Sequence, residues 1–444
     1  MVRARPRIRW IETQLLTLPA LLLVVGFLSI TIADRGSTDA TAVAQAKPAV
    51  LIGGLMLVIS LVFGLLGFRG DQVLLPVTAV LAALGFVMVE RIQTALGPTT
   101  GFSAGIGSRH LIYLAAGLAI LFAAAITPRS LALFQRYKYS ALLASLALLL
   151  VTFVFGTNVG GARLWISVGP VQIQPSEIVK VTLVIFLAAY LAEKRDLIGS
   201  SWRLGFLRLP PIPYLAPMVV MWAASLMVLV VLNDLGSALL FFGIFLVMLY
   251  AASGRPIYVL TGLLTFAGAC WLAYVLFDRI GIRVQNWLDP WHDPLATGYQ
   301  QVQSDYALAS GGVLGTGLGQ GQPWRIPAVH TDYVFSAIGE ELGLVGTTAV
   351  LVLYLVLVMR GFGIALRAPD PFGRLLATGL AATIGLQALI IIGGVVRLIP
   401  LTGITLPFVS YGGSSLLTNC LIVGLLLRVS GLEGSRLGRP NPRA

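Results

Sequence analysis

Charge is scarce in this chain of 444 residues: only 11% are Asp, Glu, Lys or Arg, where a soluble domain carries about 25%. With 57% hydrophobic residues and a mean hydropathy of +0.90, an ordinary soluble enzyme is excluded. Histidine and cysteine are rarer still, three and two in number. Cys270 and Cys420 both sit inside apolar runs and read as small core residues, not as a disulfide or a metal pair. His292 and His330 show no ligand spacing such as HExxH, so the sequence offers no dedicated metal cage. The glycine-rich run Gly311–Gly321 lacks the spacing and the strand–turn–helix setting of a dinucleotide fingerprint, and there is no P-loop. A nucleotide-driven reaction is left without support.

What the chain does contain is apolar runs close to the length that an α-helix needs to cross a hydrocarbon core. They are far longer than barrel strands. Only helices or closed barrels satisfy backbone polar groups in lipid, so the fold class is an all-α polytopic membrane protein. Runs at 14–33, 48–67, 72–90, 110–127, 139–156, 177–192, 213–232, 236–252, 258–277, 333–358, 375–396 and 413–429 give about 12 transmembrane helices. The first run precedes a small-residue stretch, Ala42-Val43-Ala44, that resembles a cleavage site. It is longer than a signal-peptide core, and a retained helix is expected. The longest polar segment, 278–331, precedes the tenth span.

The net charge of +12 is explained by its placement. If the amino terminus is cytoplasmic, most of the 30 basic residues fall on alternate, inner links, as the retention of Lys and Arg on the cytoplasmic side requires. The basic balance then reports topology and contact with anionic lipid, and no nucleic acid is needed. Both termini come out cytoplasmic. The links at 34–47, 91–109, 157–176, 233–235, 278–331 and 397–412 come out external.

Each helix running inward presents its amino-terminal end on that external side. These ends fall near Ser176-Glu177, Asp234, Asp332 and Ser414. Free N–H groups and the positive dipole end suit anions, although Ser, Asp and Gly are also ordinary caps. Asp332, within His330-Thr331-Asp332, is an acid placed where the long loop re-enters the membrane. Arg163 and Trp165 lie just before Gln174-Pro175-Ser176-Glu177, with Lys180 one turn further on. Glu177 and Lys180 share a helical face, as an ion pair or as functional groups at membrane depth. Trp165 also fits an interfacial belt. Arg283 lies in the long loop. The segment Arg397–Ser415 carries two prolines and several glycines in an apolar run, so a packed, irregular stretch is expected, not a straight helix.

Gly161–Trp165, Gln174–Lys180, Asp289–Gln301, His330–Gly343 (HTDYVFSAIGEELG) and Pro407–Ser415 (PFVSYGGSS) together resemble the SEDS family, which includes RodA, FtsW and SpoVE. The resemblance implies a peptidoglycan glycosyltransferase that polymerises lipid II, an undecaprenyl-linked precursor, at the outer face of the bacterial cytoplasmic membrane. It serves elongation or septation, beside a class B penicillin-binding protein that cross-links the strands. The family core has ten helices, so residues 1–68 resemble a two-helix amino-terminal extension to a core at 69–444, and this leans towards RodA. The family's proposed catalytic aspartate falls on Asp332. Its tryptophan and neighbouring arginine fall on Trp165 and Arg163, although one extra residue, Leu164, separates them here. Its remaining motif residues fall on Gln174, Glu177, Lys180 and Asp234, and a divergence at Ile392-Gly393-Gly394 replaces an asparagine of many relatives.

On that reading a sugar hydroxyl attacks an anomeric carbon whose leaving group is a lipid pyrophosphate. Asp332 within reach of the hydroxyl would be the general base, and His330 would orient it or pack. Burial would raise its pKa and a nearby cation lower it. Pyrophosphate departure calls for positive charge, from Lys180, Arg283, the helix end at Ser414, or a divalent cation such as Mg2+ or Mn2+. Direct displacement with inversion is the simplest course. Two other classes bind the same partners without chemistry: a lipid II flippase, for which Glu340 and Glu341 would extend a polar track, and a scaffold recruiting the penicillin-binding protein.

Overall fold

The computed structural model describes residues 9–35, 47–96, 105–127, 130–159, 162–168, 171–199, 202–204, 207–209, 220, 223, 227 and 234–437. In chain order these form α1 (Trp10–Leu15), α2 (Thr17–Arg35), α3 (Lys47–Leu65), α4 (Leu74–Leu96), α5 (Ile106–Ile126), α6 (Ser130–Arg136) and α7 (Lys138–Phe155). Strands β1 (Thr157–Val159), β2 (Ala162–Val168) and β3 (Val171–Ile173) follow, then α8 (Pro175–Gly199), β4 (Trp202–Leu204) and β5 (Leu207–Leu209). The remainder is helical: α9 (Leu235–Ser253), α10 (Pro256–Leu276), α11 (Asp278–Leu288), α12 (Tyr299–Gly311), α13 (Val334–Arg367), α14 (Pro371–Val395) and α15 (Gly413–Leu437). Among the described residues eleven helices are long and apolar enough to cross a membrane, as expected for a polytopic all-α protein. The seventh expected span, 213–232, lies almost wholly outside the described residues.

Local sequence explains where the spans start. Proline stands first in α8, α10 and α14, where its fixed φ and missing N–H suit the first turn. Asp71 accepts from the Val73 and Leu74 N–H groups at the head of α4. Asp370 accepts from the Gly373 N–H in α14. Asp234 caps α9 through both oxygens, from the Ser237 N–H at 2.9 Å and the Ser237 hydroxyl at 2.5 Å.

The chain divides into two compact units: Met1–Ile126, Arg283–Arg360 and Gln387–Ala444 form the first, Thr127–Ile282 and Gly361–Leu386 the second. In the first unit α4 is buried over nearly its whole length. Gly85 of α4 lies where a Cβ would meet the Phe408 carbonyl and the Val409 Cα at 2.6 Å, so the bare glycine admits the 408–409 turn against the helix. The stretch 396–412 is irregular and mostly buried, as its prolines and glycines predict. Its backbone polar groups are taken up locally: the Ser410 hydroxyl bonds the Leu406 N–H, the Tyr354 hydroxyl bonds the Pro407 carbonyl, and Gln387 Nε2 bonds the Thr405 carbonyl. Cys420 is buried and free, and Cys270 of the second unit is also free.

The second unit packs α7, α8 and α9 and contains the strands. β1, β2 and β3 form an antiparallel meander. Its register passes from Thr157 opposite Trp165 to Asn158 opposite Arg163. Leu164 is therefore the extra residue of a β-bulge, which bends the strand without ending its pairing. These short strands are a local departure from the all-helical reading, in a segment read as a link between spans.

Two further departures concern the long polar segment and the helix after it. Residues 278–331 are not a plain loop: α11 and α12 and two 3-10 turns, Pro290–His292 and Pro323–Arg325, lie within them. The tenth span is not one straight helix either. Gly343 breaks α13 with φ 66° and ψ −163°, a conformation open to glycine. Residues 344–367 beyond the break are long enough to span on their own, and residues 334–342 form a separate buried piece.

Candidate functional site

The site is built on the turn that carries Asp332. Ala328 adopts a left-handed φ of 51°, which costs an L-residue roughly 1–2 kcal/mol. That geometry lets its carbonyl accept from the Thr331 N–H, the Asp332 N–H and the Thr331 hydroxyl, at 3.1, 3.1 and 3.0 Å. Neighbours hold the turn from two sides. Gln300 Nε2 donates to the Pro327 carbonyl at 2.7 Å. The Ser410 hydroxyl donates to the Thr331 carbonyl at 2.6 Å, and the Tyr411 N–H to the His330 carbonyl at 2.7 Å. The irregular 396–412 stretch thus serves as a fixed clamp for the acid.

Asp332 opens onto a cavity of about 200 Å³, lined among others by Arg283, Asn286, Trp287, Gln300, Gln301 and Tyr333. All of these belong to the first unit. Burial pushes the Asp332 carboxyl up to about 6, opposed by the Thr331 hydroxyl and by the Arg283 guanidinium. The group is therefore ionised near neutral pH and can still accept a proton. Burial and the Asp332 and Asp305 carboxylates push the Tyr333 phenol up, so it stays protonated and donates to Gln301 Oε1 at 3.0 Å. The facing wall is ordered by Asn286, whose Nδ2 donates to the Thr297 carbonyl at 2.8 Å, and by the Trp287 indole N–H, which donates to the Arg397 carbonyl at 2.9 Å. A cavity with one acid, one cation, three amide side chains and an indole suits a polyhydroxylated, anionic ligand.

The expected residues distribute unevenly. Asp332 and Arg283 meet in this cavity. His330 is adjacent but its ring packs on Tyr411, centroids 5.7 Å apart, and burial lowers its pKa. Ser414 stands in the first turn of α15 and does not line the cavity. Gln174, Glu177, Lys180, Asp234, Arg163 and Trp165 belong to the second unit. There Lys180 is 1% exposed and its ammonium lies 2.5 Å from Glu177 Oε2, an ion pair across one helical turn. Gln174 is buried at the head of α8, and its carbonyl accepts from the Glu177 N–H at 3.1 Å. Trp165 is half-buried on β2, and the side chain of Arg163 lies outside the described residues. Among the described residues no three His, Cys, Asp or Glu side chains gather into a metal site. The donor set around Asp332 supplies a single carboxylate to a divalent cation.

Asn286, Trp287, Thr297 and Tyr333 carried no role in the sequence reading. Their only signal was position: Tyr333 follows Asp332 in the HTDY motif, and the other three lie in or beside Asp289–Gln301, where tertiary packing alone brings α11 and the head of α12 against Asp332. Glu340 and Glu341 are occupied elsewhere. Arg91 Nε donates to Glu341 Oε1 at 3.0 Å, and its Nη2 to the Gly319 and Gly321 carbonyls at 2.9 and 3.0 Å. Glu341 Oε2 accepts from the Gly319 N–H and Glu340 Oε1 from the Gln322 N–H. The two acids hold the glycine-rich run to the buried piece of α13.

Comparison with known proteins agrees with this architecture. The FtsW/RodA/SpoVE family profile, described as cell cycle protein, matches residues 71–433. The chain is 43% identical over 369 residues to peptidoglycan glycosyltransferase RodA of Mycobacterium tuberculosis, covering 81% of this chain and 78% of that protein. It is 37% identical over 369 residues to stage V sporulation protein E of Bacillus subtilis, covering 81% and 96%. A solved peptidoglycan synthase complex, described as coordinating polymerization and crosslinking, contains a chain with TM-score 0.66 and 30% identity, covering 82% of this chain and 98% of that one. The chain belongs to the FtsW/RodA/SpoVE family of cell cycle proteins, the SEDS family that its motifs resemble.

Proposed function

We propose that this chain is a peptidoglycan glycosyltransferase that polymerises lipid II at the outer face of the bacterial cytoplasmic membrane, with Asp332 as general base. The observation that carries the reading is Asp332, held on a clamped turn and facing Arg283 across one cavity. In the proposed reaction Asp332 accepts the proton of the attacking sugar hydroxyl as the new C–O bond forms. The bond from the anomeric carbon to the lipid pyrophosphate breaks with inversion, and the pyrophosphate leaves with the electron pair. Arg283 offers charge-assisted hydrogen bonds to phosphate oxygens, and the donor supplies its own activation. Positioned proton transfer of this kind contributes about 10²–10⁴-fold.

Trp165, Arg163, Gln174, Glu177, Lys180 and Asp234 of the second unit, and His330 and Ser414 of the first, are the remaining proposed substrate-binding residues, with Lys180 a second candidate cation. Cytoplasmic termini follow from the placement of Lys and Arg. Residues 1–68 act as an amino-terminal extension, since the family match begins at residue 71. A class B penicillin-binding protein is the proposed partner. A flippase is less well supported, because Glu340 and Glu341 are engaged by Arg91 and the glycine-rich run.

The deciding experiment supplies labelled lipid II to the purified protein with its partner. Glycan polymer from the wild type and none from Asp332→Asn is expected. Full-rate polymer from Asp332→Asn removes the base assignment, and no polymer from the wild type removes the enzyme.

A further inference from the structure

The carboxyl end of α14 places an arginine where the backbone prefers glycine. The Leu398 N–H returns to the Gly393 carbonyl at 2.7 Å and the Arg397 N–H to the Gly394 carbonyl at 3.2 Å. This pair of bonds makes a Schellman turn, whose left-handed position is usually glycine. Arg397 occupies it with φ 60°. A cap alone gives no reason for a long cationic side chain at that position.

The side chain supplies one. Arg397 Nη2 donates to the carbonyls of Trp287 and Leu288, both at 3.1 Å, and Nε to that of Trp287 at 3.3 Å. These are carbonyls at the end of α11, where a helix lacks partners and favours a cation. Nη1 lies 3.3 Å from Asp305 Oδ2. The other Asp305 oxygen accepts from Gln301 Nε2 at 3.0 Å, and Gln301 Oε1 accepts from the Tyr333 hydroxyl. Tyr333 is bonded in sequence to Asp332. The Trp287 indole closes the ring by donating to the Arg397 carbonyl. One guanidinium thus joins α11, α12 and the end of α14, while Trp287, Gln301, Tyr333 and Asp332 line the cavity.

We propose that Arg397 is the positioning residue of this site: its planar fork sets Trp287 directly, and Tyr333 through Asp305 and Gln301, in register with Asp332. The proposal rests on the glycosyltransferase reading. Lysine cannot reproduce it, since an ammonium has no fixed fork to span two carbonyls and a carboxylate.

Arg397→Gly separates the two roles of the residue, because glycine satisfies the left-handed turn and removes only the fork. The expected result is an unchanged or raised melting temperature, faster amide hydrogen exchange over 283–305, and a fall of roughly 10²-fold in kcat, with kcat/KM falling in parallel. Arg397→Lys should fail to restore the rate. Asp305→Asn should show a smaller loss of the same kind, and it serves as the second variant if Arg397→Gly does not accumulate. Wild-type kcat in Arg397→Gly, or full rescue by lysine, overturns the proposal. If the wild type makes no polymer, the enzyme reading fails, and the exchange measurement still decides: unchanged exchange over 283–305 in Arg397→Gly overturns the clamp.

Discussion

Arg283 and Asp332 face one cavity, and the guanidinium opposes the burial that raises the carboxyl. Burial, opposed by the Thr331 hydroxyl and by Arg283, leaves the acid at a pKa of about 6, close to where a general base is both ionised at neutral pH and basic enough to accept a proton.

Polymerisation should therefore lose rate as pH falls through about 6, with a single acid limb in kcat/KM. Arg283→Gln removes one of the two groups that lower this pKa, the other being the Thr331 hydroxyl, so the limb should move to higher pH. A pH–rate profile of both proteins checks this, and an unmoved limb in Arg283→Gln would separate Arg283 from Asp332.

The same shift carries a stability consequence. Asp332 ionises at about 6 in the fold, against an ordinary value of 3.8. The fold thus favours the protonated carboxyl: ionisation costs stability above the folded pKa, and the cost vanishes below the ordinary one. Two units at about 1.4 kcal/mol each amount to about 3 kcal/mol. Asp332→Asn should melt higher than the wild type at about pH 8, with the gap closing towards about pH 4. Equal melting temperatures at both pH values would contradict the buried environment.

Arg91 and Glu341 form a buried pair, 9% and 0% exposed in their side chains. Arg91→Met leaves Glu341 without its cation and frees the Gly319 and Gly321 carbonyls, a loss of about 3–5 kcal/mol. The double variant Arg91→Met with Glu341→Met should recover part of it. Thermal melting of the four proteins of this cycle measures the coupling, and simple additivity would show that the pair does not hold the run.

Gly319 sits at φ 91°, and a Cβ there would lie 2.6 Å from the Ala33 Cβ of α2. Gly319→Val should destabilise by about 1–3 kcal/mol through overpacking, in addition to the strain of a β-branched residue at that φ, and Ala33→Gly should relieve only the overpacking part. Melting of the single and double variants tests whether α2 braces the glycine-rich run.

How much was legible in the residues varies with the range of the force involved. Span positions follow from runs of apolar residues, since a bilayer demands local hydrogen bonding within each helix. The Glu177–Lys180 pair follows from helical spacing, and Asp234 behaves as the cap its sequence position allows. Leu164 stood out as one residue too many between Arg163 and Trp165. Only the strand pairing explains it, as a bulge opposite Thr157 and Asn158. The helices inside 278–331 were hidden because polar, half-exposed helices lack the apolar signal that marks a span.

Asp332 itself marks the division. Sequence alone determined an acid at the end of the long polar segment, within motifs of the SEDS family, because local pattern and motif order are properties of the chain. Tertiary structure decided which groups meet it. Arg283 and Trp287 of α11 and Gln301 of α12 reach the cavity of Asp332 only through packing, and Arg397, from beyond α14, stands behind them on Trp287 and Asp305. His330, two residues from Asp332, turns instead to Tyr411, because the turn at Ala328 sends neighbouring side chains in different directions.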